Sequence, residues 1–283
     1  MTWKIRGKTI ETGARTLIMG ILNVTPDSFS DGGKFLDGNA AVQRGKRMLA
    51  EGADIIDVGG ESSRPGSDPV PEEAELRRVI PVIERLSSET DAVISVDTTK
   101  ARVADEAVQA GASIINDISA LRFDDGMAGV AAKTGAGLVL MHMLGTPKEM
   151  QSNPSYKDVV KEIREFLDAR GKAVRDAGVA WEAIVYDPGI GFGKTVEHNL
   201  LLLKRLAEFK PLMRPLLVGP SRKSFIGAVL DLPVEERLEG TAAAVALAVA
   251  NGADLVRVHD VKEMARVAKV ADAVVRRAEP GQG

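Results

Sequence analysis

Cysteine is absent from the 283 residues, and histidine occurs only three times. The first absence removes disulfides, thiolate nucleophiles and Cys-based zinc or iron–sulfur sites together. The second argues against a histidine-rich metal-dependent hydrolase, and no His-x-His pair occurs. Long runs of one charge are also missing and the formal net charge is −3, which argues against a general nucleic-acid or anionic-membrane binder. The longest uncharged apolar run, 241–250, is too short to cross a bilayer and reads as a buried helix. The opening MTWKIRGKTIETG holds no apolar segment of signal-peptide length, so a cytoplasmic protein without nucleic-acid or membrane partners is expected. Apolar residues make up 45% of the chain, enough for a substantial core.

What is present is one unit written repeatedly. GADIID from Gly52, GASIIN from Gly111, GAGLVL from Gly135 and GADLVR from Gly252 each join a helix end to a run of branched apolar residues. A glycine that can take the left-handed conformation ends the helix, and a run apolar on both faces suits a parallel strand covered by helices. Eight such strands are expected at 17–22, 55–58, 93–96, 114–115, 138–141, 184–186, 216–218 and 255–258. Helical patterns follow them at roughly 40–51, 72–88, 100–110, 126–134, 156–178, 196–209, 234–250 and 261–277. This alternation predicts a (β/α)8 TIM barrel forming one domain over 1–283, with a small N-terminal β-hairpin around Gly7 plugging its N-terminal end. A doubly wound open sheet is the alternative, but no GxGxxG follows the first strand.

The carboxyl ends of these strands carry Asn23, Asp57, Asp97, Asn116, His142, Asp187, Ser221 with Lys223, and Arg257 with His259. In a barrel all of them converge on one mouth. Each has a plainer reading: an Asp or Asn after a strand is often a turn or cap residue, and Asp260 reads as such a cap. His142, among methionines, reads as well as a core residue, and His198 as a helix residue of surface or core. A whole ring of polar strand ends is harder to dismiss. Buried carboxylates at 97 and 187 require a ligand rich in N–H groups, and the amide of Asn116 suits the edge of a heterocycle. Asn23, Arg64, Arg257 and His259 suit an anionic group near helix starts.

The stretch DPGIGFGKT, 187–195, looks like a phosphate loop, but Pro188 stands where a Walker motif needs its first glycine and has no N–H to offer. Its glycines are expected to give loop flexibility, and Lys194 reads equally as solvated or functional.

Together, ILNVTPDSFSDGG (21–33), DVGGESSRPG (57–66), SVDT (95–98), IND (115–117), DPGIGFGKT, SRKS (221–224) and VRVHDV (256–261) resemble the dihydropteroate synthase family. The resemblance covers most of the chain and touches seven of the eight expected strand ends. It implies Mg²⁺-dependent condensation of 6-hydroxymethyl-7,8-dihydropterin diphosphate with 4-aminobenzoate, giving 7,8-dihydropteroate and pyrophosphate in folate synthesis. It further implies a pterin pocket of Asp97, Asn116, Met141, Asp187, Phe192, Lys223 and Arg257. Asn23, Ser63, Arg64, Arg257 and His259 would hold the diphosphate, Asn23 also assisting Mg²⁺. Phe29, Ser63, Arg64, Pro65 and Ser221 would surround 4-aminobenzoate, and Asp27, Phe29, Arg64 and Lys223 would serve catalysis. A homodimer and sensitivity to sulfonamides go with the family. A related barrel, the pterin-binding methyltetrahydrofolate:corrinoid methyltransferase, has no use for the anion-binding residues or the 21–33 loop. A non-catalytic pterin-binding protein would not need Phe29, Lys223 and Arg257 together. Two departures stand out: Ser63 where the family more often has threonine, and Pro220, which removes a backbone donor beside Ser221.

Overall fold

The computed structural model describes residues 1–25 and 34–276. Strands β1 (Thr2–Ile5) and β2 (Lys8–Glu11) form an antiparallel hairpin whose turn, Arg6 and Gly7, has positive φ at both positions. Eight parallel strands follow: β3 (Leu17–Asn23), β4 (Ile55–Gly59), β5 (Val93–Asp97), β6 (Ile114–Asp117), β7 (Gly137–Met141), β8 (Ile184–Asp187), β9 (Leu217–Val218) and β10 (Leu255–Val258). They pair in the order β8-β7-β6-β5-β4-β3-β10-β9. A parallel bridge between Tyr186 and Leu216 joins the two outer strands, with the Tyr186 N–H donating to the Pro215 carbonyl at 3.0 Å, and so closes the barrel.

Nine α-helices among the described residues surround it: α1 (Lys34–Glu51), α2 (Glu72–Glu89), α3 (Ala101–Ala110), α4 (Met127–Thr134), α5 (Val159–Asp176), α6 (Val196–Lys204), α7 (Ser224–Leu230), α8 (Leu238–Ala250) and α9 (Val261–Val275). Strands β4 and β7 are buried at every residue because one face meets the barrel interior and the other the helices. The expected helix-to-strand glycines do take positive φ, at Gly52, Gly111, Gly135 and Gly252. At Gly111 a Cβ would fall 2.2 Å from the Ser87 hydroxyl, so only glycine fits the helix end there.

The barrel interior is filled near its N-terminal end by Leu17, Met19, Ile55, Ile114, Val139, Val185, Leu217 and Leu255, capped by Trp3 and Ile5 of the hairpin. Trp3 donates its indole N–H to the Ala183 carbonyl at 2.7 Å, and Arg214 donates to the Thr2 carbonyl at 2.9 Å. The plug is therefore bolted to the wall by polar contacts as well as by burial. With this end shut, the open mouth lies at the carboxyl ends of the strands.

Besides α1, which begins at Lys34 instead of near 40, three helix boundaries differ from the sequence expectation. Helix α7 is an addition; at seven residues it is too short to show a helical period, and Asp231 stops it in the left-handed region. The pattern read over 234–250 becomes a single 3₁₀ turn, Val234–Glu236, followed by α8. The pattern over 196–209 breaks at Arg205, beyond which Leu206–Leu212, containing Pro211, tightens to 3₁₀. No helix among the described residues is long and apolar enough to cross a membrane.

Candidate active site

Register places the functional residues in one layer. Asn23 pairs with Gly59, Gly59 with Asp97, and Asp97 with Asn116, while Met141 pairs with Asp187. Because alternate residues of a strand point to opposite faces, these positions share a side of the wall.

At the bottom of the mouth lies an ion network. Arg257 donates from Nε to Asp57 Oδ2 and from Nη2 to Asp97 Oδ2, both at 2.6 Å. Asn116 Nδ2 donates to the same Asp57 oxygen at 3.0 Å. Asp57 is fully buried, and its second oxygen, Oδ1, has no hydrogen-bond partner among the described residues. This carboxylate was legible in the sequence only as one strand end among several; here it holds both Arg257 and Asn116. Burial pushes the Asp97 carboxyl upward, Arg257 pulls against this, and the nearby Asp57, Glu75 and Asp117 add to the rise. With its amide N–H committed to Asp57, Asn116 has its carbonyl oxygen left to accept from a ligand.

Asp187 accepts the Gly189 N–H at 2.7 Å. Burial lifts its pKa to about 6, opposed by that N–H and by Lys223, Lys194 and Arg257. Lys223 lies with its ammonium 3.9 Å from the centre of the Phe192 ring, and burial together with Arg257 lowers its pKa to about 8. Phe192 joins Ile118, Met141, Met143 and Met150 in an apolar cluster. The apolar cluster thus lies beside Asp187 and under Lys223.

Ser221 and His259 form a pair at the rim: the Ser221 oxygen accepts the His259 backbone N–H at 3.2 Å and lies 3.0 Å from His259 Nδ1. Burial, and then Arg257, holds the imidazole down to about 3. His259 is therefore neutral at pH 7, and a donor hydroxyl from Ser221 leaves its Nε2 to carry the proton. An anion would meet it as a hydrogen-bond donor. Arg222, with φ of 55°, turns away and pairs with Asp260 at 2.5 and 2.9 Å. Asp260 does stand at the start of α9, but this ion pair occupies its side chain and no side-chain cap bond forms.

The segment 62–67 leaves β4 on the same face. Ser67 Oγ donates to the Ser62 and Arg64 carbonyls at 2.6 and 2.8 Å, and the Gly66 N–H donates to the Pro147 carbonyl at 3.1 Å. Arg64 and Pro65 are exposed and Ser63 is partly covered. Asp27 and Phe29 lie outside the described residues.

Two histidine readings are narrowed and the glycine reading changes. His142 is buried and packs edge-on against Phe166 of α5 at 4.8 Å, so it faces the helix layer and not the mouth. His198 shares a reciprocal cap with Thr195 at the start of α6. The glycines of 189–193 are packed, not flexible: Gly189, Gly191 and Gly193 all have positive φ, and a Cβ at Gly189 would fall 2.0 Å from the His142 carbonyl oxygen.

The mouth thus presents carboxylates and an amide to N–H groups, a flat apolar wall, and cations. Among the described residues no group of three or more His, Asp or Glu is placed to hold a metal ion. A family model described as "Pterin binding enzyme" matches residues 19–259. Dihydropteroate synthase of Synechocystis is 52% identical over 95% of this chain and 94% of its own length. That of Escherichia coli is 48% identical over 91% of each. Among solved structures, Yersinia pestis dihydropteroate synthase with a sulfonamide drug complex superposes with a TM-score of 0.92 at 45% identity, covering 98% of this chain and 100% of that one. Xanthomonas albilineans dihydropteroate synthase in complex with 7,8-dihydropteroate gives 0.86 at 42% identity, covering 97% and 100%. Barrel, strand-end layer and relatives agree, and the chain belongs to the dihydropteroate synthase family of pterin-binding transferases.

Proposed function

We propose that this mouth condenses 6-hydroxymethyl-7,8-dihydropterin diphosphate with 4-aminobenzoate by a dissociative substitution. The observation that carries this reading is the meeting of Asp97, Asn116, Asp187, Lys223 and Arg257 around an apolar wall. Asp187, ionised, accepts the 2-amino and N3 hydrogens of the pterin, and Asn116 accepts a further ring N–H through its carbonyl oxygen. Lys223 reaches the ring carbonyl and N5 from its place over Phe192. Met141 and Phe192 clamp the ring, and Arg257 stands between it and the diphosphate with Asn23, Ser63, Arg64 and the Nε2 proton of His259. Pro65 and Ser221, with Phe29, border the 4-aminobenzoate.

Asn23 contributes one neutral oxygen, beside Gly59 and near the Asp97 carboxylate. That fits Mg²⁺, which takes few protein oxygens and completes its shell with phosphate and water. Bound there by Asn23 and the diphosphate, it would supply charge stabilisation to the leaving group.

The carbon–oxygen bond of the exocyclic methylene breaks first, its electron pair leaving with pyrophosphate. Asp97 and Asp187, whose carboxylates line the mouth, favour the cation shared between that carbon and the dihydropterin ring. The amine of 4-aminobenzoate then forms the carbon–nitrogen bond and loses one proton to the pyrophosphate or solvent. Arg64 and the 62–67 segment keep competing water from the cation. No cysteine is available for a covalent intermediate, and none is needed.

The reading is tested by incubating the protein with the pterin diphosphate and Mg²⁺, with and without 4-aminobenzoate. Pyrophosphate release should depend on the amine and match dihydropteroate formed; release indifferent to it would reject the synthase.

The proposed assembly is a homodimer. Helices α8 and α9 pack on one another yet turn Leu247, Val270 and Val274 outward, as a surface awaiting a second copy would.

A further inference from the structure

Lys194 follows the glycine turn of 187–193 and is 3% exposed. Its ammonium meets three acceptors: the Phe192 carbonyl at 2.8 Å, the His142 carbonyl at 3.3 Å and His142 Nδ1 at 3.1 Å. Three acceptors match the three N–H donors of an ammonium. Burial drives its pKa well down and Lys223 adds to the fall, with Asp187 opposing, so the site is a costly one for a lysine unless the contacts matter.

Those contacts extend the joint between β7 and β8 past its last ladder pair, Met141 with Asp187, where the His142 N–H donates to the Asp187 carbonyl at 3.0 Å. His142 follows Met141 at the end of β7, and Phe192 is the tip of the turn after β8. Met141 and Phe192 both belong to the apolar cluster of the mouth, and the turn also gives Asp187 its Gly189 N–H. The other ties on the turn reach it from outside: Gln151 to the Gly191 carbonyl at 2.7 Å, Tyr156 to the Gly193 carbonyl at 2.8 Å, and Asn199 from the Gly191 N–H at 2.7 Å. Among these side-chain contacts, Lys194 is the one that binds the turn to the end of β7.

We propose that Lys194 is a positioning residue for pterin recognition, its buried ammonium fixing the spacing of the Met141 and Phe192 side chains and the carboxylate of Asp187. The inference rests on the pterin reading of the mouth. It predicts a selective defect. In Lys194→Met, which keeps the length and loses the donors, pterin affinity measured by calorimetry with 6-hydroxymethylpterin should fall about tenfold or more, the scale of a lost charged hydrogen bond. The KM for 4-aminobenzoate should change less than about twofold, because its borders lie on other segments. Lys194→Gln, which restores one donor, should recover part of the pterin affinity.

Unchanged pterin affinity in Lys194→Met overturns the proposal. So does an equal loss for both substrates, which would mark a merely structural lysine. If Lys194→Met does not fold, Lys194→Gln is judged by the same pterin-to-aminobenzoate ratio, and a ratio equal to that of the wild type overturns the proposal. Wild-type protein that binds no pterin would instead reject the function itself.

Discussion

In the proposed pterin reading, Asp187 is the carboxylate whose charge the ligand needs. Its pKa of about 6, raised from 3.8 chiefly by burial, puts that charge in question just below neutrality. Affinity for 6-hydroxymethylpterin should therefore climb as pH rises through about 6 and then fall as Lys223 loses its proton near pH 8. The stability contribution has the opposite slope. Between about pH 4 and 6 the folded protein keeps a proton that the unfolded chain has released, so this group's contribution declines as pH rises through that window. Calorimetric titrations across the range check the first statement, and a flat profile would remove Asp187 from recognition; Asp187→Ala should abolish binding outright. Arg257→Ala has a different signature, because it strands Asp57 and Asp97 without their cation. A loss of about 3 kcal/mol in urea unfolding is expected, the low end for a broken buried pair, since the mouth remains partly wet. Affinity should fall further for the pterin diphosphate than for the hydroxymethylpterin, and equal losses would refute its anion role. At this scale the sequence brought Asp57, Asp97, Asn116, Asp187 and Arg257 to one mouth but did not show how they pair, and it misplaced His142 there. Asp57 and Lys194 were readable only as a strand end and a charge after glycines; burial and partners decide their use, and both come from segments far away in the chain.

The turn after β8 shows what an element adds to its residues. A Cβ at Gly189 would collide with a backbone carbonyl at 2.0 Å, whereas one at Gly191 would meet Lys223 Cδ at 2.9 Å, part of a side chain able to move. Gly189→Ala should therefore be the more destabilising by at least about 1 kcal/mol, as read from thermal unfolding. Gly191→Ala should lose the smaller stability that its positive φ alone costs and weaken pterin binding by displacing Lys223. Comparable unfolding by both would mean that the turn is looser than its contacts indicate. The glycines were visible in the sequence, but flexibility and tight packing select the same residue. The eight strands were plain from apolar runs between glycine joints, while α7 escaped because two helical turns leave too little pattern.

For the whole molecule, the hairpin and the mouth occupy opposite ends of the barrel. Trp3→Ala should cost roughly 3–5 kcal/mol in urea unfolding, as expected for emptying a buried tryptophan site. Pterin affinity should stay within about twofold of wild type, since the two sites share no contacts. An affinity loss matching the stability loss would mean the two ends are coupled. For the proposed dimer, sedimentation should give twice the chain mass, and Val270→Glu should shift it towards one. Barrel closure was the least legible feature, because the Tyr186–Leu216 bridge depends on strand tilt and register and leaves no local mark.

The bolts of the plug have a temporal consequence. Trp3 is held by Ala183 and Thr2 by Arg214, so residues translated early must wait for partners about 180 and 212 positions later. During synthesis the indole of Trp3 leaves the ribosome with nothing to bury it, a state in which chaperones can capture it. Vectorial emergence and docking therefore run in opposite orders, and a protein shortened before residue 183 should carry an unmoored, protease-sensitive leader.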